Sequence, residues 1–212
     1  MKAIISFANS RGNYMKSLER LKNSINYYDK NPFLGFIGED SIGSPLHLEN
    51  PYAFKIYAFK KARELGYTKI LYLDSSIFAV NPLDKLWEVL DEDGYFMQEA
   101  GHLVGRWCNE RTLEYFSLSR EAAMDIMMYG NAGLLALDFE NEKANNFFQL
   151  WEKSMLEGQF IGSWDDHRHD MTCGSIIANR LQMKLQSGNK WMIYTSDEAA
   201  VSEDIIFHAS GM

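Results

Sequence analysis

From its first residues the chain alternates short apolar runs with segments whose apolar positions recur every three or four residues. AIISFAN (3–9) is a run of strand length, and the stretch after it sets Tyr14, Leu18, Leu21 and Ile25 at helical spacing. A strand, a loop and an amphipathic helix are predicted. PFLGFIGE (32–39) reads as a second strand, ended by the polar, glycine-containing stretch that follows. PYAFKIYAFKKARELGY (51–67) has Pro51 where a first helical turn would fall and Gly66 where a C-terminal cap would fall. Directly after it, TKILYLDSSIFAV (68–80) is an apolar strand broken only by Asp74, Ser75 and Ser76. The second half is less regular. GYFMQEA (94–100) and GLLALDF (133–139) predict strands, NEKANNFFQLWEKSMLEG (141–158) and MTCGSIIANRLQM (171–183) predict helices, and WMIYTS (191–196) and DIIFHAS (204–210) predict short strands. This order argues for an α/β fold with a mostly parallel central sheet covered by helices, in which ligands gather at the carboxyl ends of the strands.

Composition narrows the class. A chain of 212 residues, 46% hydrophobic and 24% charged, suits one domain with a sizeable core. Its formal net charge of -8 repels a nucleic-acid backbone, so non-specific nucleic-acid binding is not expected. No run approaches the roughly 20 apolar residues of a membrane span, and the amino end lacks the length and flanks of a signal peptide. Cys108 and Cys173 are too few and too far apart for a disulfide framework or a metal knuckle. A reducing, cytoplasmic setting with two structural thiols is expected.

Asp74 is the sharpest chemical signal. A carboxylate closing the apolar run ILYLD is expensive to bury unless it meets a cation or hydrogen-bond donors at the sheet edge. The competing reading is an Asp that caps its own turn, helped by Ser75 and Ser76. His167, Arg168, His169 and Asp170, with Asp165 and Asp166, form the densest ionisable cluster. It suits an anionic ligand, or it is a solvated loop that caps the next helix through Asp170 or Thr172. The His167 and His169 spacing is not by itself a zinc signature. Lys55 lies on the helix before the Asp74 strand, where a lysine more often belongs to a solvated face. Trp87, Phe96 and Trp151 are expected in the core. Trp107 and Trp164 fall in polar, irregular stretches where one of them could stack on a sugar, although burial is the ordinary expectation.

ILYLDSSIFAVNPLDKLWEVL resembles the strand and flank around the Asp-x-Asp motif of GT-A glycosyltransferases, particularly the glycogenin-like and galactosyltransferase-like enzymes. In order after it, YGNAGLLALDFEN is similar to the family's Asn-Ala/Ser-Gly strand entrance, with Asn131, Ala132 and Gly133 matching. DDHRHDMTCGSIIANRL is similar to the loop and helix that carry an Asp near sugar and acceptor, here Asp170, and IIFHASGM resembles the His-x-x-Gly segment, here His208 and Gly211.

The resemblance implies a GT-A-like single domain over 1–212, with a nucleotide-binding half at 1–80 and an acceptor and sugar half at 81–212. It implies a nucleotide diphosphate sugar as donor, a UDP-sugar by preference, with base and ribose near Ala8, Asn9 and Tyr14 and the donor sugar near Asn131 and Gly133. Asp74 and His208 would be ligands of Mn²⁺ or Mg²⁺, and Asp170 would meet the donor sugar or the acceptor hydroxyl. Ser76 departs from the pattern, because it stands where the family has its second carboxylate and a neutral hydroxyl binds a hard cation weakly. Either the donor phosphates complete the metal site, or Lys55, Arg11 or Arg168 neutralise the leaving diphosphate without a metal. Two other functions stay open. A nucleotidyltransferase would want a glycine-rich basic loop, of which RGN (11–13) is a poor version, and a non-catalytic nucleotide-sugar or glycan binder would fit Ser76.

Overall fold

A computed structural model describes residues 1–10, 12–130, 133–187, 191–194 and 205–210. The first half follows the apolar pattern closely: β1 (Lys2–Ala8), α1 (Tyr14–Tyr28), β2 (Phe33–Ile37), α2 (Phe54–Glu64), β3 (Lys69–Leu73), β4 (Ile77–Ala79) and α3 (Asp84–Asp93). Gly66 lies just past the C-terminal residue of α2 with φ +90°, and the Tyr67 N–H closes back on the Ala62 carbonyl at 3.2 Å. That closure is why a glycine ends this helix. Pro51 instead sits in a turn ahead of α2, which begins only at Phe54.

GYFMQEA does not stay one strand. β5 (Tyr95–Met97) ends before Gln98, and β6 (Glu99–Leu103) pairs antiparallel with β7 (Met127–Tyr129) across the short helices α4 (Glu110–Tyr115) and α5 (Arg120–Ala123). The chain continues through β8 (Leu134–Asp138), α6 (Glu142–Leu156), α7 (His169–Arg180), β9 (Met192–Tyr194) and β10 (Phe207–Ala209).

The central sheet has the order β2-β1-β3-β8-β5. β1 runs parallel to β2 and β3, while β8 is antiparallel to both β3 and β5. Four strands therefore share one direction, and β8 alone opposes them, which agrees with a mostly parallel sheet. Because side chains alternate along a strand, each strand feeds two cores. Ile5, Tyr72, Leu135 and Leu137 pack against α2, α6 and α7, whereas Ile4, Leu71, Leu73, Leu134 and Ala136 pack against α1 and α3. A second sheet, β4-β10-β9, sets His208 opposite Phe78, just beyond the turn that carries Asp74 to Ser76. No helix among the described residues is long and apolar enough to cross a membrane.

Candidate active site

The alternation that buries Ile70 and Tyr72 under α2 places Asp74 next on the same side, at the carboxyl end of β3. Three contacts hold Asp74. The Tyr72 hydroxyl donates to its carboxylate at 2.7 Å, its own N–H donates to the Gly133 carbonyl at 3.1 Å, and its carbonyl accepts from the Ile77 N–H at 3.0 Å. Gly133 has φ +82°, and a Cβ there would stand 2.2 Å from the Asp74 carboxyl carbon. The glycine is what leaves room for the acid. Burial raises the Asp74 pKa above the usual carboxylate range, and the Lys55 charge and the Tyr72 hydrogen bond offset this only in part.

Lys55 belongs to the first turn of α2 and is buried, so the solvated-lysine expectation is corrected. Its Nζ lies 2.9 Å from Asp170 Oδ2, with the two side chains 7% and 3% exposed. Burial alone would lower the Lys55 pKa, but Asp170 and then Asp74 outweigh it and hold the ammonium above its ordinary value. The 165–170 segment is corrected in the same way. Asp165 and Asp166 are exposed, but His167, His169 and Asp170 are buried and tied to the fold. His167 Nε2 donates to the Gln159 carbonyl at 2.8 Å, His169 Nδ1 donates to the Phe160 carbonyl at 2.7 Å, and the Trp151 indole N–H donates to the Asp170 carbonyl at 3.0 Å. The N-cap of α7 is Arg168, without a side-chain cap, rather than Asp170 or Thr172.

A cleft of about 260 Å³ opens where β1 and β3 end, lined by Phe7, Asn9, Tyr14, Glu39, His47, Tyr52, Phe54, Asp74, Ser75 and Ser76. Every one of these lies within the first 80 residues. Tyr14, which helical spacing groups with Leu18, Leu21 and Ile25 and which the resemblance puts near the donor base, is 38% exposed and lines this cleft with Asn9. Ala8 is buried beneath the cleft and does not line it. Gly133, Lys55, Tyr72 and Asp170 line a smaller adjoining cavity, and Tyr72 and Gly133 both touch Asp74. Arg168 sits apart, its guanidinium 3.8 Å from the Trp107 ring and 4.1 Å from the Trp164 ring. His208 leans on Phe78 at 5.6 Å between ring centres, and its Nε2 is buried without a hydrogen-bond partner. Asn131, Ala132, Arg11 and Gly211 lie outside the described residues.

Sequence reasoning missed four residues. Tyr72 was within reach, since a residue two before a strand-end acid shares its face. His47 and Tyr52 were not, because they lie in the irregular stretch before α2 with no periodic signal. His47 Nδ1 accepts from the Tyr52 N–H at 3.2 Å, and burial, followed by the neighbouring His169, lowers its pKa. Tyr52 has φ +60°, an uncommon conformation for an aromatic residue, and its phenol is pushed up to about 12, first by burial and then by Asp170. Tyr194 also stands near Asp74, and burial and that charge raise its phenol.

Among the described residues no group of three or more His, Cys, Asp or Glu side chains is placed to hold a metal ion. Asp74 supplies one anionic oxygen donor and Ser76 a neutral one. A divalent ion fits this set only if further ligands arrive from outside the protein.

A parallel-biased sheet with its carboxylate-bearing cleft at the carboxyl edge defines an α/β protein of the GT-A type. The structure is similar to that of the galactosyltransferase LgtC in complex with donor and acceptor sugar analogs, with a TM-score of 0.54, 13% identity, and coverage of 99% of this chain and 87% of that one. At this identity the likeness establishes the fold. No family model and no curated protein matches the sequence.

Proposed function

We propose that this protein is a glycosyltransferase that moves a sugar from a nucleotide diphosphate sugar, a UDP-sugar, to an acceptor hydroxyl. The observation that carries the reading is Asp74, a carboxylate that Tyr72 and Gly133 hold in the wall of the cleft at the carboxyl end of β3. Asn9 and Tyr14 offer an amide and a phenol ring for the base and ribose, with Ala8 below them. Ser76 and Gly133 take the flank of the donor sugar. Loss of the diphosphate leaves positive charge on the anomeric carbon and negative charge on the phosphates, so neutralising the leaving group outweighs any single acid-base residue. Lys55 keeps a fixed ammonium beside both carboxylates. Asp170, paired with Lys55 through Oδ2, lines the smaller cavity, from which it would meet the donor sugar or the acceptor hydroxyl.

Mn²⁺ or Mg²⁺ would be held by Asp74 with the Ser76 hydroxyl and His208 as further donors and the donor phosphates completing the shell. When bound, such an ion supplies positive charge to the leaving diphosphate. The test is UDP release from UDP-glucose, UDP-galactose and UDP-N-acetylglucosamine, alongside a thermal-shift screen with the same donors, since a ligand of the native state raises the melting point. Neither release nor a shift with any nucleotide sugar would end the proposal. A non-catalytic binder is the second reading, favoured by Ser76 and by the closure of Lys55 on Asp170. Binding without release would identify it.

A further inference from the structure

Resting on the glycosyltransferase reading, we propose that Arg20 is the cation that receives the leaving diphosphate, with the Ser210 hydroxyl beside it, at the Ser76 end of the cleft. No Lys or Arg is among the residues that line the cleft, although a diphosphate brings negative charge to it. Lys55 is closed on Asp170, and Arg168 is held between Trp107 and Trp164. Arg20 reads from the sequence as an ordinary exposed position of α1, yet the fold fixes it. Its Nη2 donates to the Ser76 carbonyl at 2.9 Å, and its guanidinium lies over the Phe78 ring at 4.7 Å. Ser76 is a wall of the cleft, so the guanidinium is one hydrogen bond away from it. One turn further along α1 the Ser24 hydroxyl accepts from the Ala79 N–H at 2.9 Å, which ties the helix to β4.

No carboxylate among the described residues pairs with Arg20. A guanidinium is a planar fork of five N–H donors, and those not bound to Ser76 remain for phosphate oxygens. Lys16 is exposed one turn earlier on the same face, and the first turn of α1 contains no acid, which keeps this end of the helix positive. A second observation points to the same place. The Ser76 carbonyl also accepts from the Ser210 N–H at 3.1 Å, and the Ser210 hydroxyl is buried without a hydrogen-bond partner. Buried hydroxyls are ordinarily paired, so an unpaired one marks room for an acceptor from outside the protein. A phosphate oxygen accepts from both the hydroxyl and the guanidinium. Cleavage of the anomeric C–O bond leaves its electron pair on the terminal phosphate, so a fixed guanidinium attracts the departing diphosphate more strongly than the intact sugar donor.

The experiment titrates UDP, inorganic pyrophosphate and uridine into the wild type, Arg20→Ala and Arg20→Lys by calorimetry, in EDTA and again with Mn²⁺, with melting temperatures measured in parallel. In EDTA, Arg20→Ala should weaken UDP and pyrophosphate about tenfold and leave uridine affinity and melting temperature as in the wild type, while Arg20→Lys recovers part of the loss. UDP binding that is indifferent to Arg20→Ala, or a uridine affinity that falls by the same factor, overturns the proposal and leaves the sugar-donor reading standing. Pyrophosphate binding that needs Arg20, in a protein that binds neither uridine nor UDP-sugars, supports the anion site and refutes the sugar-donor reading. Absence of any binding overturns both.

Discussion

Replacing Lys55 with Met tests the arrangement at its most buried charge. The ammonium and the Asp170 carboxylate are 2.9 Å apart with side-chain exposures of 7% and 3%, so water cannot replace either partner. Met fills most of the stem volume and leaves Asp170 as an uncompensated buried carboxylate. Breaking a buried pair from one side costs about 3–5 kcal/mol. For a domain of this size each kcal/mol lowers the melting temperature by roughly 2–4 °C, which gives a drop of about 6–20 °C. The pair itself need not stabilise the fold, because its desolvation cost is of the same order as its attraction. Lys55→Met combined with Asp170→Leu should therefore recover most of the loss. Scanning calorimetry of the wild type, both single variants and the double variant closes the cycle. A loss below about 1 kcal/mol in Lys55→Met, or a double variant no more stable than that single variant, would show that the two charges do not depend on each other.

Asp74→Asn should weaken UDP-sugar binding at least tenfold in calorimetry yet raise the melting temperature at neutral pH. Burial raises the folded-state pKa of Asp74, so the folded protein binds more protons than the unfolded chain between the two values and stability falls as pH rises through that window. The gain of the Asn variant should accordingly fade as pH drops towards the ordinary carboxylate value of about 3.9, and a gain that persists there would contradict the assignment. Gly133→Ala places a methyl group 2.2 Å from the Asp74 carboxyl carbon at φ +82°, so it should displace the acid and reduce donor affinity by about tenfold or more. Unchanged UDP-sugar titrations would show that the contact is dispensable. Mn²⁺ alone should bind the wild type too weakly for calorimetry to detect and should bind measurably in the presence of UDP, with Ser76→Asp tightening the metal-only titration. Strong Mn²⁺ binding without nucleotide would refute the one-carboxylate argument.

The chain itself determined everything set by local periodicity. Strand and helix alternation, the α2 stop at Gly66, and Asp74 at the end of an apolar strand follow from which residues repeat every two or every three to four positions. Those patterns place side chains on a face without any partner being known. Only tertiary structure decided what each face meets. Lys55 reads as an ordinary surface lysine until α7 brings Asp170 to it from 115 residues away. Gly133 reads as a strand entrance until β8 pairs with β3 and sets it against Asp74. The same holds for Trp164 in the opposite sense: an indole is apolar enough to bury, but α7 starts beside it and Arg168 fills the space underneath, which leaves half of it in water. Burial of a charge or exposure of an aromatic depends on the neighbour across the fold, and a linear sequence does not record its pairs.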